Sequence, residues 1–365
     1  MKHQFWIGAL GWACFSSVAS AQDRFPEGAT NDSMLQRRNR FSLKGTFNFG
    51  IKTDFTTVTP NHAGTGAGVG GQNRTYDDGF VKLDVNANAG GMTWNWGYVT
   101  AGQYGVADLD PVIPQPGNSL SFHTVTSLAE GATRGGRERM QTGVELAYEE
   151  VLGRFHITEK RRANVGLLVS FGYLPLKQRD SATLAGPVTL RTDKYNATLV
   201  PPPGPGGVIN SGSFDVPGPF LPDAPLSSIV GTVAATGTLN NKLDGALYGF
   251  NLGPFIELPL HDSVSLTLGG GLGVVYASTT YSFSEVVAVP GIVTATRSGH
   301  ISASDWLFSA TMKANLHVAL GEAWSWELGM GYQYAGNSRS SVQGKSANLK
   351  LDGILSLNTG LNYAF

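Results

Sequence analysis

The chain has 365 residues with 15% charged, 10% aromatic and 48 glycines, too apolar and too regularly patterned for a disordered polypeptide. Its 26 basic and 27 acidic residues balance, and with Lys2 removed in a leader the remainder carries 25 against 27, so no basic surface for nucleic acid is implied. Cys14 is the sole cysteine, which excludes disulfides, thiol nucleophiles and thiolate metal sites beyond the first residues.

Residues 1–21 read as a cleavable signal peptide: a basic start at Lys2, an apolar run from Phe5 to Val18, and small residues Ala19, Ser20 and Ala21, with Ala19 and Ala21 as the cleavage signature. Trp12 stands where a lipoprotein signal built on Cys14 would want a small residue. The apolar run is too short to cross a bilayer as a helix, and no later stretch reaches ~18 uninterrupted apolar residues. Residues 22–40 are expected to form an N-terminal periplasmic segment, and 41–365 the folded body.

That body alternates with a period of two, the signature of strands. Leu43, Gly45, Phe47, Phe49 and Ile51 oppose Lys44, Thr46, Asn48 and Lys52; Val81, Leu83 and Val85 oppose Lys82, Asp84 and Asn86; Met92, Trp94, Trp96 and Tyr98 form a third apolar face. Val144, Leu146 and Tyr148 oppose Glu145, Ala147 and Glu149, and Val165 to Tyr173 continue the pattern. Residues 246–258, 264–276, 306–320 and 324–334 follow; in the second of these Ser265, Thr267, Gly269, Gly271 and Gly273 suit a crowded interior. The final strand places Leu349, Leu351, Leu355, Leu357, Leu361, Tyr363 and Phe365 on one face. Alternation alone does not separate a soluble sandwich, whose apolar face meets a core, from a membrane barrel, whose apolar face meets lipid.

Connection lengths and aromatic placement favour the barrel. Short turns are expected at 89–91, 259–263 and 321–323, and long polar loops at about 53–78, 100–137, 176–241, 285–297 and 336–345. The stretch 150–162 is long for a turn. Aromatic residues gather at strand ends, where an amphipathic ring suits a membrane interface. The expected fold is therefore all-β: an antiparallel up-and-down transmembrane β-barrel of about ten strands (range 8–12), with short periplasmic turns and long extracellular loops. The chain resembles bacterial outer-membrane β-barrel proteins in this pattern and in its LSLNTGLNYAF terminus. The resemblance implies that Leu361, Tyr363 and Phe365 are the assembly signal read by the barrel-assembly machinery, that both termini are periplasmic, and that the partners include outer-membrane lipids.

Function is read from lumen and loops, because one barrel serves many roles. Inward-facing charges are expected at Lys44, Lys82, Asp84, Glu145, Glu149, Glu257, Lys313, His317, Glu327, Lys350 and Asp352, either as a salt-bridge network filling the lumen or as a charged constriction. The histidines are dispersed, GxSxG and HExxH are missing, and the Gly-rich stretch from His62 lacks the Lys-Ser/Thr ending of a phosphate loop. No catalytic residue, cofactor or metal is assigned; Asp77 with Asp78 and Asp108 with Asp110 are incomplete calcium sets. The Pro/Gly-rich segment Val200 to Pro225 reads as a lid or an extended arm within the long loop 176–241. The expectation is a non-enzymatic barrel, structural or porin-like with a narrow channel for small solutes. Its alternative is a surface protein that binds a ligand through that Pro/Gly-rich loop.

Overall fold

In the computed structural model, residues 39–57, 68–84, 89–105, 118–136, 140–158, 161–200 and 218–365 are described. Eight antiparallel strands close into a hydrogen-bonded ring: β1 (Asn39–Phe49), β2 (Gln141–Thr158), β3 (Arg161–Asn196), β4 (Ser227–His261), β5 (Val264–Val289), β6 (Val293–Ala319), β7 (Trp324–Ala335) and β8 (Ile354–Ala364). Each strand pairs with its successor, and β1 meets β8 from Arg40↔Ala364 to Phe49↔Leu355, which leaves no open edge around the ring. The count lies at the lower end of the expected range. The signal peptide with Ala19 and Ala21 lies outside the described residues, as does segment 22–40 up to Arg37 and Arg38.

One end of the ring, the near end, carries Asn39, Phe365 and the tight connections β4–β5 at Asp262 and Ser263 and β6–β7 at 320–323. The stretch 150–162 is strand almost throughout, with β2 running to Thr158 and β3 starting at Arg161, so it forms a hairpin of this end. On the outer surface the aromatics form two girdles. Trp324, Tyr363 and Phe365 pack ring to ring at the near end, and Tyr173, Tyr248, Tyr276 and Trp306 form a ladder at the far end, with neighbouring centroids 4.8–6.1 Å apart. Between them Leu43, Phe47, Leu146, Leu167, Leu252, Leu268, Leu272, Met312, Leu328 and Leu357 are exposed. The step from Trp324 to Tyr334 along β7, at roughly 3.3 Å per residue and a tilt of about 40°, rises about 25 Å, the height of a membrane barrel's apolar band.

Four strands run far beyond that band: β3, β4, β5 and β6 have 36, 35, 26 and 27 residues, where about ten suffice to span. Within β5 the alternation inverts at the far girdle. Below it, Ser265 and Thr267 are buried inside while Leu268 and Leu272 face out; above it, Val275, Ala277, Tyr281 and Phe283 are buried inside while Ser278, Thr280 and Ser284 face out. The strand never slips register, since a one-residue shift would displace the β6 partners, and pairing is continuous from Val264↔Val318 to Val289↔Val293. β6 inverts at the same level: Met312, Phe308 and Trp306 face out below, and Ser304, Ser302, Ser298 and Thr296 above. The strands thus leave a medium that solvates apolar surface and enter one that solvates polar surface.

Beyond the girdle the extensions are covered by a second sheet of four short strands, ordered 338–342, 345–350, 52–57 and 133–135. It arises because β1 and β8 bend off the ring together at Gly50 and Gly353. Gly50 has φ +82°, and a Cβ there would lie 2.4 Å from the Gly353 carbonyl oxygen, so only glycine permits the bend. Phe55, Leu349 and Leu351 from this sheet pack on Leu243, Leu247 and Tyr281 of the extensions, forming an apolar core directly above the barrel mouth. A second core further out contains Val188, Leu190, Ala235, Val287 and Val293, and a third Trp96, Tyr98, Leu120, Phe122 and Tyr195.

This arrangement corrects several expectations. The segments around Val81 and Met92–Tyr98 are not ring strands: 79–81 pairs with 74–76 on one side and with 96–98 on the other in a small separate sheet of the head. Their alternation serves the outermost core, and a period of two fits any half-buried strand. The expected loop 176–241 is largely strand, through Asn196 and again from Ser227, and 285–297 is a hairpin turning at 290–292. Both were legible only as polar because their outward face meets water.

Candidate functional site

The lumen is crossed by an ionic network. Arg40, from the first ring strand, lies 2.7 Å from Glu257 and 3.2 Å from Glu149; Glu257 also accepts from Asn164 and Ser265 at 2.9 and 2.7 Å. One strand turn further in, Lys44 pairs with Glu327 at 2.6 Å and Lys313 with Glu145 at 2.5 Å. His317 lies 3.0 Å from the Asn362 amide and 3.9 Å from Glu327. The charged and titratable groups come from β1, β2, β4, β6 and β7, so the network ties opposite walls together, and Lys44, Glu149, Glu257 and Glu327 are buried. Buried charges of this kind persist only when paired.

Of the expected lumen charges, Lys44, Glu145, Glu149, Glu257, Lys313, His317 and Glu327 point inward, and Arg40 joins them. Arg40 was missed because it falls in the stretch read as a periplasmic segment, although Arg40, Ser42 and Lys44 share the buried face of β1. Lys82, Asp84, Lys350 and Asp352 are corrected. Lys82 sits over the Phe80 ring at 5.0 Å, and Asp84 accepts from Thr93 at 2.8 Å and from the Asn95 N–H, both in the head. Lys350 pairs with Asp54 at 2.7 Å in the second sheet, and Asp352 sits exposed in the turn that follows. The bend at Gly50 and Gly353 carries both out of the ring. Leu361, Tyr363 and Phe365 face outward at the near end.

Above the ionic layer lies a cavity of about 80 Å³ whose lining includes Thr46, Asn48, Asn251, Thr311 and Lys313, room for about half a dozen waters. Leu247, Val275, Leu351 and Ile354 line its far side and belong to the apolar core over the mouth. The axis therefore passes through salt bridges, a small pocket and a hydrophobic roof.

The head carries its own buried polar contacts. Asp78 holds His123 twice, accepting from its backbone N–H at 2.7 Å and lying 2.6 Å from its Nδ1. Asp77 accepts from Arg297 at 2.8 Å and from the Val125 N–H at 2.8 Å, so both carboxylates considered for calcium are occupied by protein donors. Asp108 and Asp110 lie outside the described residues, as do His62 and 201–217 of the Pro/Gly-rich segment. Lys345 pairs with Glu285 at 3.2 Å and donates to Ser127 at 3.2 Å, and Ser127 donates to Glu285. Burial pushes the Lys345 ammonium down against the pull of Glu285. Tyr76 donates to Asp193 at 2.9 Å and shares a 2.8 Å hydrogen bond with Tyr195; burial drives both phenols up, Tyr195 to about 12.

A closed antiparallel ring, an apolar belt between two aromatic girdles and a charged interior define the class: this is an outer-membrane β-barrel carrying a β-sheet head. No family model and no curated protein matches the chain. Among solved structures, similarity is found to Ail, the attachment invasion locus protein of Yersinia pestis solved with the heparin analogue sucrose octasulfate (10% identity, 90% of this chain and 99% of that one, TM-score 0.23). It is also found to the outer membrane protease OmpT of Escherichia coli (11%, 92% and 99%, TM-score 0.30) and a FadL homologue of Pseudomonas aeruginosa (10%, 90% and 90%, TM-score 0.18). These are shallow superpositions, and the class stands on the ring and its belt.

Proposed function

We propose that this protein is a surface-display protein: the barrel is an anchor, and the head, held on extensions of its own strands, is the part that binds. The observation that carries this is the polarity inversion of β5 and β6 at the far girdle, which turns the barrel interior into an apolar core instead of a vestibule. In this reading the near end, with both termini, faces the periplasm and the head faces outward. Leu361, Tyr363 and Phe365 face the lipid and serve assembly, and the protein has no catalytic step. A narrow solute channel is the weaker reading, because eight-stranded interiors are filled by side chains and this one adds a hydrophobic roof.

Planar-bilayer recording decides between them. The full chain is expected to give no stepwise current at several voltages. Reproducible unit conductance, altered in Lys313→Ala, would establish the channel and overturn the display reading.

A further inference from the structure

Among the described residues, the head leaves one strand edge unpaired and undefended. From Ser227 to Ala235, β4 is paired only with β3, from Lys194 to Gly186. On its other side pairing with β5 begins at Thr236↔Ala288, because the β5–β6 hairpin turns back at 290–292. The segment reads Ser-Ser-Ile-Val-Gly-Thr-Val-Ala-Ala, with no charge and no proline. Val230 is 63% exposed, Gly231, Thr232 and Ala234 are exposed, and a Cβ on Gly231 would meet nothing within 4 Å. Such an edge is a template for another strand, and proteins ordinarily blunt it.

The other interrupted edges of the head are blunted. β3 between its pairing with β2 and with residues 119–125 carries Lys177, Arg179, Asp180 and Pro187, and Asp180 is bridged by Arg134 at 2.8 Å. β6 above its pairing with β7 carries Arg297, His300 and Asp305, and Ser338 of the second sheet donates to Asp305 at 2.5 Å. Among the described residues, 227–235 stands apart in having neither device.

The sequence of the edge also selects its occupant. Folded about Gly231, it pairs with itself antiparallel: Ile229 opposite Val233 on the inner face, Val230 opposite Thr232 on the outer face, Ser228 opposite Ala234, and Gly231 opposite Gly231. β-branched residues face one another on both sides, the favourable cross-strand combination, and no like charges meet. A two-fold axis perpendicular to the strand makes such a contact isologous and closed. Copies in one bilayer all point the same way, so their β4 strands run parallel and cannot form it. Copies in two bilayers that face each other run antiparallel.

We infer that residues 227–235 are a homotypic adhesion strand, by which the heads of two copies on opposed membranes join edge to edge into one continuous sheet. This rests on the display reading and names its partner: a second copy of this chain.

The test uses the full protein in phosphatidylcholine vesicles, two dye-labelled populations being mixed and their clustering followed by energy transfer. Clustering that rises with protein density is expected. It should fall about tenfold or more in Val230→Lys or Thr232→Lys, both outward and exposed, and stay unchanged in Ser282→Lys, outward on a strand paired on both sides. Register is read with cysteines in a Cys14→Ser background: vesicles bearing Val230→Cys should cross-link to vesicles bearing Thr232→Cys more than to their own kind. Absence of clustering at every density overturns the proposal, as does clustering that survives the lysines, or cross-linking confined to one vesicle. Capture of an unrelated extended peptide without vesicle clustering would also overturn it, in favour of another occupant. Silent bilayers beside any of these results leave the display reading standing, whereas conductance would remove both.

Discussion

Arg40 holds two carboxylates, Glu149 and Glu257, that come from different strands of the ring and would otherwise face each other across the lumen. Arg40→Ala is expected to destabilise the barrel by about 3–5 kcal/mol, because it leaves both carboxylates buried without their cation. The temperature at which the unboiled gel form is lost reads this directly, and Arg40→Ala with Glu257→Gln should recover part of it. In the head the loss of stability at alkaline pH comes from buried phenols. Tyr195 is raised by burial to about 12 and Tyr76 is raised too, so both stay protonated in the folded head at a pH where an unfolded tyrosine, near 10, ionises. Between about pH 10 and 12 the unfolded chain binds fewer protons than the folded one, so stability falls as pH rises. Melting of the head followed by near-ultraviolet dichroism should drop through this window. Tyr195→Phe should flatten the drop by an amount on the order of 2 kcal/mol.

At the scale of the strand, inversion makes position and face jointly decisive. Leu272 and Ser282 both point outward from β5, ten residues apart in one unbroken register, yet Leu272 lies mid-belt at 75% exposure and Ser282 in the head. Leu272→Arg is expected to cost about 2–4 kcal/mol in bilayer refolding titrations, and Ser282→Arg close to nothing. Equal effects would mean that the belt ends elsewhere. The same inversion explains what could be read in advance. Alternation with leucines and aromatics on one face identified all eight ring strands, because each crosses lipid with its apolar residues outward. It also captured seven of the inward charged or titratable groups, from Lys44 to Glu327. The head strands alternate equally well, but their outer residues are Ser and Thr and their inner ones Val and Ala, which in sequence resembles a polar loop. Lys350 and Asp352 continue the alternation of the last strand without a break, and only the bend at Gly50 and Gly353 takes them out of the lumen.

For the molecule as a whole, continuity of the strands sets two solvents against one another along a single hydrogen-bonded sheet. Ring backbone groups within the belt have no water to bond to if they open, so each opened pair costs several kcal/mol. Head backbone groups exchange protein partners for water at a net cost of about 1 kcal/mol each, and the balance rests on three separate apolar cores. The head should therefore open first although it shares β3, β4, β5 and β6 with the barrel. Hydrogen exchange of the protein in lipid under rising urea, read on peptides, is expected to release 278–289 and 293–304 well before 264–274 and 309–319. The boundary should fall at the aromatic ladder of Tyr248, Tyr276 and Trp306. Exchange of both halves of β5 in one step would mean that head and barrel form one cooperative unit; stepwise exchange means that the membrane fixes the base of the head while its upper strands, the 227–235 edge among them, open in water.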